Sequence, residues 1–167
     1  MPLVVLTGAS GSGKTTLARA IAVRRGGQVE VHFFDSIGVP PVEQMIAEYG
    51  SGEGWQRVKT VEWMHRLAPS VLSGRNVLLE GQTRIAFLKE AVAATGLAQY
   101  RIILVDCDDA TRTHRLVAER GQPELASPAV FSWAKFLREE AERGAHEILD
   151  TSTNSLDVCT ERICRHF

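Results

Sequence analysis

The chain has 167 residues, 44% hydrophobic and 23% charged, with a formal net charge of −1. That size suits one domain with its own core, here taken as residues 1–167, and the near-zero charge argues against a nucleic-acid partner, which calls for a basic excess. No apolar run approaches the ~20 residues of a membrane helix, and MPLVVL lacks the basic start of a signal peptide, so no membrane is expected and the expected setting is the cytoplasm.

Short apolar runs alternate with longer, helix-like segments. LVVLT (3–7), VEVHFF (29–34), NVLLE (76–80), YRIILVD (100–106) and HEILD (146–150) are near-continuous in Val, Ile and Leu. Such runs fit strands buried on both faces. Helical periodicity is predicted over 14–25, about 55–73, 84–95, 109–120, 128–144 and 155–166. Gly26-Gly27 after Arg24-Arg25 reads as a stop for the first of these. Ser127-Pro128 reads as a cap with proline in the first turn, and Asn154 with Asp157 as a capping pair. Residues 35–54 hold four glycines and two prolines and are expected to be flexible. The alternation predicts an α/β fold with a parallel sheet between helices. Ligands of such sheets sit beyond the carboxyl ends of the strands.

The first strand exits into GASGSGKT, which fits G-x-x-x-x-G-K-[ST], the phosphate loop. Its glycines let the backbone wrap a polyphosphate. The following helix adds its positive N-terminal end. Gly8, Ala9, Ser10, Gly11, Ser12, Gly13, Lys14, Thr15 and Thr16 are the expected nucleotide-binding residues. Lys14 would neutralise phosphate charge, and the Thr15 hydroxyl would ligate Mg²⁺. Glu80 ends the third run, where a carboxylate can meet that metal through water.

No guanine-reading N-K-x-D is present. Leu72-Ser73-Gly74 shares its start with a transporter ATPase signature, but the remainder is missing. LVVLTGASGSGKTTLARAIA resembles instead the opening of the small phosphate-loop kinases: nucleoside monophosphate, shikimate and gluconate kinases. Glu80-Gly81-Gln82-Thr83-Arg84 has the spacing of the nucleoside monophosphate kinase D-G-F-P-R. The resemblance implies a three-layer fold with a five-stranded parallel sheet and a short lid, at about 120–128. It implies ATP and Mg²⁺ as cofactors and a small-molecule acceptor, with a monomer or homodimer as the assembly. Glu80 would then hold a metal-bound water, and Arg84 would clamp the acceptor. Leu88, where adenylate kinases carry a base-reading glutamine, departs from an AMP acceptor.

The resemblance extends to other strand exits. Asp35 in FFDSI matches an aspartate of shikimate-kinase-like proteins that orients or deprotonates the acceptor hydroxyl. Residues 36–57 are the expected acceptor segment, and Arg57 after Gly52-Glu53-Gly54-Trp55 loosely resembles an acceptor-binding arginine. Arg115-Leu116 and Arg120 resemble an arrangement that stacks on the base and reaches the phosphates, with Arg120 counted as catalytic. Arg112 is as readily part of a basic helix face. Thr151, in the last strand's DTS exit, would border the nucleotide.

Other residues read as structural. Cys107, Cys159 and Cys164 match no zinc spacing and are expected as reduced thiols. His32, His65, His114, His146 and His166 show no ligand spacing. Trp55, Trp63 and Trp133 are expected in packing, with Trp55 also placed to line an acceptor pocket. Two other functions fit a phosphate loop: an ATP-binding regulatory ATPase without small-molecule kinase activity, and a nucleic-acid-end kinase.

Overall fold

The computed structural model describes residues 3–167. Five strands, β1 (Leu3–Thr7), β2 (Val29–Phe33), β3 (Asn76–Glu80), β4 (Tyr100–Asp106) and β5 (Glu147–Asp150), form one sheet in the order β2-β3-β1-β4-β5. Every pairing is parallel. The helices are α1 (Lys14–Arg25), α2 (Val42–Tyr49), α3 (Gly52–Leu72), α4 (Ile85–Thr95), α5 (Asp109–His114), α6 (Pro128–Arg143) and α7 (Leu156–Cys164).

The continuous apolar runs are explained by burial on both sides. Leu3 and Val5 pack into a cluster with Trp63, Met64 and Leu88, on the face covered by α3, α4 and α6. Val4 and Leu6 point the other way, into a cluster with Leu17, Ile21 and Ile163 from α1 and α7. All four β1 residues are fully buried, each contributing about 1.5–3 kcal/mol by leaving water. The central strand is thereby a rigid base for the loop that follows it. β1 also has β3 on one side and β4 on the other, which opens a crevice at its carboxyl end.

The predicted strands hold within one residue at their ends. Phe34 is the clearest shift, opening a 3₁₀ turn (Phe34–Ile37) rather than ending β2. The expectation of a flexible 35–54 is corrected: it contains the two-turn helix α2. Met45 is buried and Tyr49 half-buried against the core. Their four-residue spacing makes one helix face, which the flanking Pro40-Pro41 and Gly50 obscured. The helix expected over 109–120 is not uniform, because α5 passes into a π turn (Arg115–Glu119). Ser155, not Asn154, caps α7, its side chain accepting from the Val158 N–H. Ser127 and Pro128 start α6, and left-handed Gly26 ends α1, as expected.

Trp55 is buried, edge-on to Phe34, and so belongs to the core rather than to a pocket wall. The Trp63 indole N–H donates to the Phe34 carbonyl at 3.1 Å. The three cysteines are free and buried. Among the described residues no helix is long and apolar enough to cross a membrane, and no group of three His, Cys, Asp or Glu side chains could hold a metal.

Candidate active site

The loop between β1 and α1 owes its path to its glycines. A Cβ on Gly8 would stand 2.2 Å from the Val105 carbonyl oxygen, so only glycine lets the loop leave β1 beside β4. Gly11 and Gly13 have φ of 78° and 92°, the left-handed region that side chains disfavour. Three successive carbonyls of the loop are anchored from outside. Arg112 donates to Ser10 O at 2.7 Å, Arg115 to Gly11 O at 3.2 Å, and Thr151 to Ser12 O at 2.8 Å.

Lys14 and Thr15, in the first turn of α1, both meet Glu80. Thr15 Oγ1 donates to Glu80 Oε1 at 3.1 Å, and Lys14 Nζ lies 3.8 Å from the same oxygen. Burial dominates both titrations. It lowers the Lys14 pKa, an effect opposed by the Glu80 and Asp35 charges and reinforced by Arg120 and Arg112. It raises the Glu80 pKa, against Lys14 and the Thr15 hydrogen bond. Asp35, exposed on the Phe34–Ile37 turn, is thus within electrostatic reach of both groups.

The stretch after Glu80 is held by its neighbours. The Gly81 N–H donates to Leu6 O at 3.0 Å, which continues the sheet ladder by one residue. A Cβ on Gly81 would stand 2.4 Å from the Phe34 Cβ. Thr7 Oγ1 donates to Thr83 O at 2.6 Å, and the Thr83 and Thr60 hydroxyls share a 3.0 Å hydrogen bond. Gln56 donates to Gln82 O and accepts from the Arg84 N–H. Ser10 Oγ donates to Gln82 Oε1 at 3.2 Å, joining this stretch to the phosphate loop.

Arg84 leaves the stretch under several constraints. Its guanidinium pairs with Glu53 at 2.8 Å and lies 5.2 Å from the Trp133 ring, 4.7 Å from Phe136 and 5.7 Å from Phe87. Cation–π attraction favours such a position. Arg57 stands apart, because its guanidinium is taken up by Glu90 of α4, with the closest contact 2.8 Å. The expectation that Arg57 binds an acceptor meets a competing partner.

On the other side of the loop is a cleft of about 290 Å³ lined by Gly13, Thr16, Arg115, Arg120, Thr151 and Asn154, among others. Arg115 also donates to Thr151 Oγ1 at 2.8 Å and to Thr151 O at 3.0 Å. The sequence-predicted Gly8–Thr16, Glu80, Asp35, Arg115, Arg120 and Thr151 therefore gather at one end of the sheet.

Two residues gained a part that the sequence did not assign. Arg112 is fully buried and pairs with Asp106 at 2.7 Å, which corrects the reading of a basic surface face. Asp106 Oδ2 also accepts from Arg138 Nε at 2.7 Å. The available signal was Asp106 itself, a carboxylate that ends an apolar run as Glu80 does.

No protein-family model matches the chain, and no curated protein matches it. Solved structures do. A shikimate kinase from Acinetobacter baumannii in complex with shikimate is 15% identical, with a TM-score of 0.65 over 99% of this chain and 92% of that one. A sugar kinase from Janibacter sp. HTCC2649 is 18% identical, TM-score 0.63, covering 99% and 93%. A gluconokinase from Sinorhizobium meliloti 1021 is 16% identical, TM-score 0.62, covering 98% and 90%. The chain shares the fold of these structures, with the five-stranded parallel sheet between helices that its sequence resemblance implies.

Proposed function

We propose that the chain is a Mg-ATP-dependent phosphotransferase that moves a γ-phosphoryl group to a hydroxyl or phosphate of a small molecule. One observation carries the reading: Lys14, Thr15 and Glu80 converge on a single point at the phosphate loop, within electrostatic reach of Asp35. The residues fit the implied ligands. Gly11 and Gly13 take the left-handed φ that curls the loop, and Ser12 Oγ is buried without a hydrogen-bond partner. The Thr15 hydroxyl and Glu80 carboxylate are hard oxygen donors suited to Mg²⁺, which takes few protein ligands and keeps phosphate and water oxygens. When bound, the ion would neutralise charge on the phosphates.

The protein's own residues supply the remainder. The loop backbone and Lys14 hold the triphosphate. Arg115 and Thr151 border the nucleotide cleft, and Arg120 brings further positive charge to the transferring group. Asp35 orients the acceptor hydroxyl or takes its proton as the new P–O bond forms and the bridging P–O bond to ADP breaks. Arg84 binds the acceptor. The chain would act as one domain, and three reduced, buried thiols fit a cytoplasmic setting.

A regulatory ATPase draws on a different observation: both acceptor-side arginines are already paired with glutamates. Labelled Mg-ATP, offered with pools of sugars, sugar acids, shikimate-like acids and nucleotides, separates the two. Transfer to a small molecule that disappears in Lys14→Ala supports the kinase. ATP binding without transfer to any pool supports the regulatory reading. Failure to bind any nucleoside triphosphate overturns both.

A further inference from the structure

Arg112 takes no part in the chemistry above, yet its position is unusual. It is the largest fully buried side chain among the described residues. One of its terminal nitrogens donates to Ser10 O at 2.7 Å. The other donates to Asp106 Oδ1 at 2.7 Å and to Cys107 O at 3.2 Å. Asp106 is held in turn by the Cys107 N–H at 2.9 Å and by Arg138 of α6. The guanidinium is therefore fixed between the end of β4 and the outside of the phosphate loop. Gly11 lies against it as well, since a Cβ there would be 3.0 Å from Arg112 Cγ.

Peptide geometry gives this contact a consequence. In a trans peptide the N–H points opposite to the C=O, and the chain has no cis bonds among its described residues. The carbonyl that Arg112 holds belongs to the same peptide group as the Gly11 N–H. Pulling the Ser10 oxygen outward turns the Gly11 N–H toward the concave side of the loop. A cationic donor on the carbonyl also polarises that peptide group, which makes its N–H a better donor.

We propose that Arg112 is a positioning residue for the phosphate loop, holding the Ser10 carbonyl so that the Gly11 N–H is turned and polarised toward a bound polyphosphate. This rests on the phosphate-loop reading of the site. Arg112 does not touch the nucleotide and acts only through the loop backbone. Its partner Asp106 keeps the buried guanidinium aimed, as an unpaired charge there could not persist.

The test compares wild type with Arg112→Lys, Arg112→Met and Arg138→Met. Mg-ATP affinity is measured by calorimetry, and the Gly11 amide by NMR in the nucleotide-free protein. Both Arg112 variants are expected to bind Mg-ATP about tenfold or more weakly, the scale of one lost charge-assisted hydrogen bond. Their Gly11 N–H resonance should move upfield. Arg138→Met removes a brace of Asp106 but no contact to the loop, and should bind within twofold of wild type. If Arg112→Met fails to fold, Arg112→Lys carries the comparison. A merely structural role predicts a lower melting temperature with unchanged affinity and an unchanged Gly11 resonance, and that result overturns the proposal. So does a wild-type Gly11 amide that fails to respond to Mg-ATP the protein binds. Wild type that binds no nucleoside triphosphate overturns the kinase reading instead, and the nucleotide-free Gly11 shift still decides the role of Arg112.

Discussion

Thr15 Oγ1 donates to Glu80 Oε1 at 3.1 Å although 65 residues separate them in sequence. The bond joins the start of α1 to the end of β3, and it forms beside a half-buried lysine. An ionised carboxylate there is unfavourable for the protein by itself, since burial raises its pKa above the usual 4.5 despite Lys14 and Thr15. Glu80→Gln removes that penalty. At low pH the glutamate is protonated in both folded and unfolded chains, and the two proteins should be equally stable in this respect. As pH rises past the unfolded value, the unfolded chain ionises first. Wild type then loses stability relative to the variant until the raised folded pKa is passed. Nucleotide-free Glu80→Gln should melt above wild type at pH 7, with the gap closing toward pH 4. With Glu80 in the proposed metal-holding role, phosphoryl transfer should fall about 10–100-fold, the scale of a disturbed metal environment. A pH-independent gap would refute this account of Glu80.

Gly81 and Phe34 give a second prediction. A methyl group on Gly81 has nowhere to go, with the Phe34 Cβ only 2.4 Å from its ideal position. Gly81→Ala should destabilise by about 1–3 kcal/mol, the cost of overpacking. That is a melting shift of roughly 2–4 °C per kcal/mol for a chain of this size. Phe34 immediately precedes Asp35, so the strain falls on the side that the proposed function gives to the acceptor. Transfer rate should drop more than Mg-ATP affinity, as measured by steady-state kinetics beside calorimetry. Equal losses in both would place the damage at the phosphate loop instead.

The sequence revealed most of what positions this site, for physical reasons that differ by residue. β1 was legible because both of its faces are buried, which leaves a continuous apolar run. The phosphate loop was legible because its glycines answer local demands: a 2.2 Å approach at Gly8 and left-handed φ at Gly11 and Gly13. α2 was hidden because it is only two turns long and has punctuating residues on both sides. Arg112 was hidden for another reason. Its partners, Asp106 and the Ser10 carbonyl, lie 6 and 102 residues away, and a buried arginine looks in sequence like one on a solvated face. Arg57 shows the converse. Its spacing matched a functional setting, while the fold offers it Glu90.

Arg57 and Glu90 can be separated by two variants. If Arg57 serves an acceptor, its exposed pairing with Glu90 competes with binding. Glu90→Ala should then lower the acceptor KM or leave it unchanged, while Arg57→Ala raises it several-fold. Exposed ion pairs contribute little to stability, so both variants should melt within a degree or two of wild type. If Arg57→Ala and Glu90→Ala shift the acceptor KM in the same direction, or not at all, the pair is only a brace between α3 and α4.

Arg84 offers a sharper contrast, because its environment suits a planar cation. The guanidinium lies within 6 Å of the Phe87, Trp133 and Phe136 rings and pairs with Glu53. A lysine keeps the charge but loses the flat surface and the forked donors. With Arg84 as the acceptor clamp, Arg84→Lys should raise the acceptor KM by about tenfold, the loss of one charge-assisted hydrogen bond. The KM for ATP should stay within twofold, since the proposed function puts Arg84 with the acceptor and leaves the triphosphate to the loop that Ser10 joins to Gln82. The indole of Trp133, stacked on Phe136 at 5.4 Å, provides an optical check. Acceptor binding that draws Arg84 away from the rings should change tryptophan emission in wild type, and the change should be smaller in Arg84→Lys. An unchanged acceptor KM in this variant would remove Arg84 from the binding site and leave it as the aromatic cluster's counterpart alone.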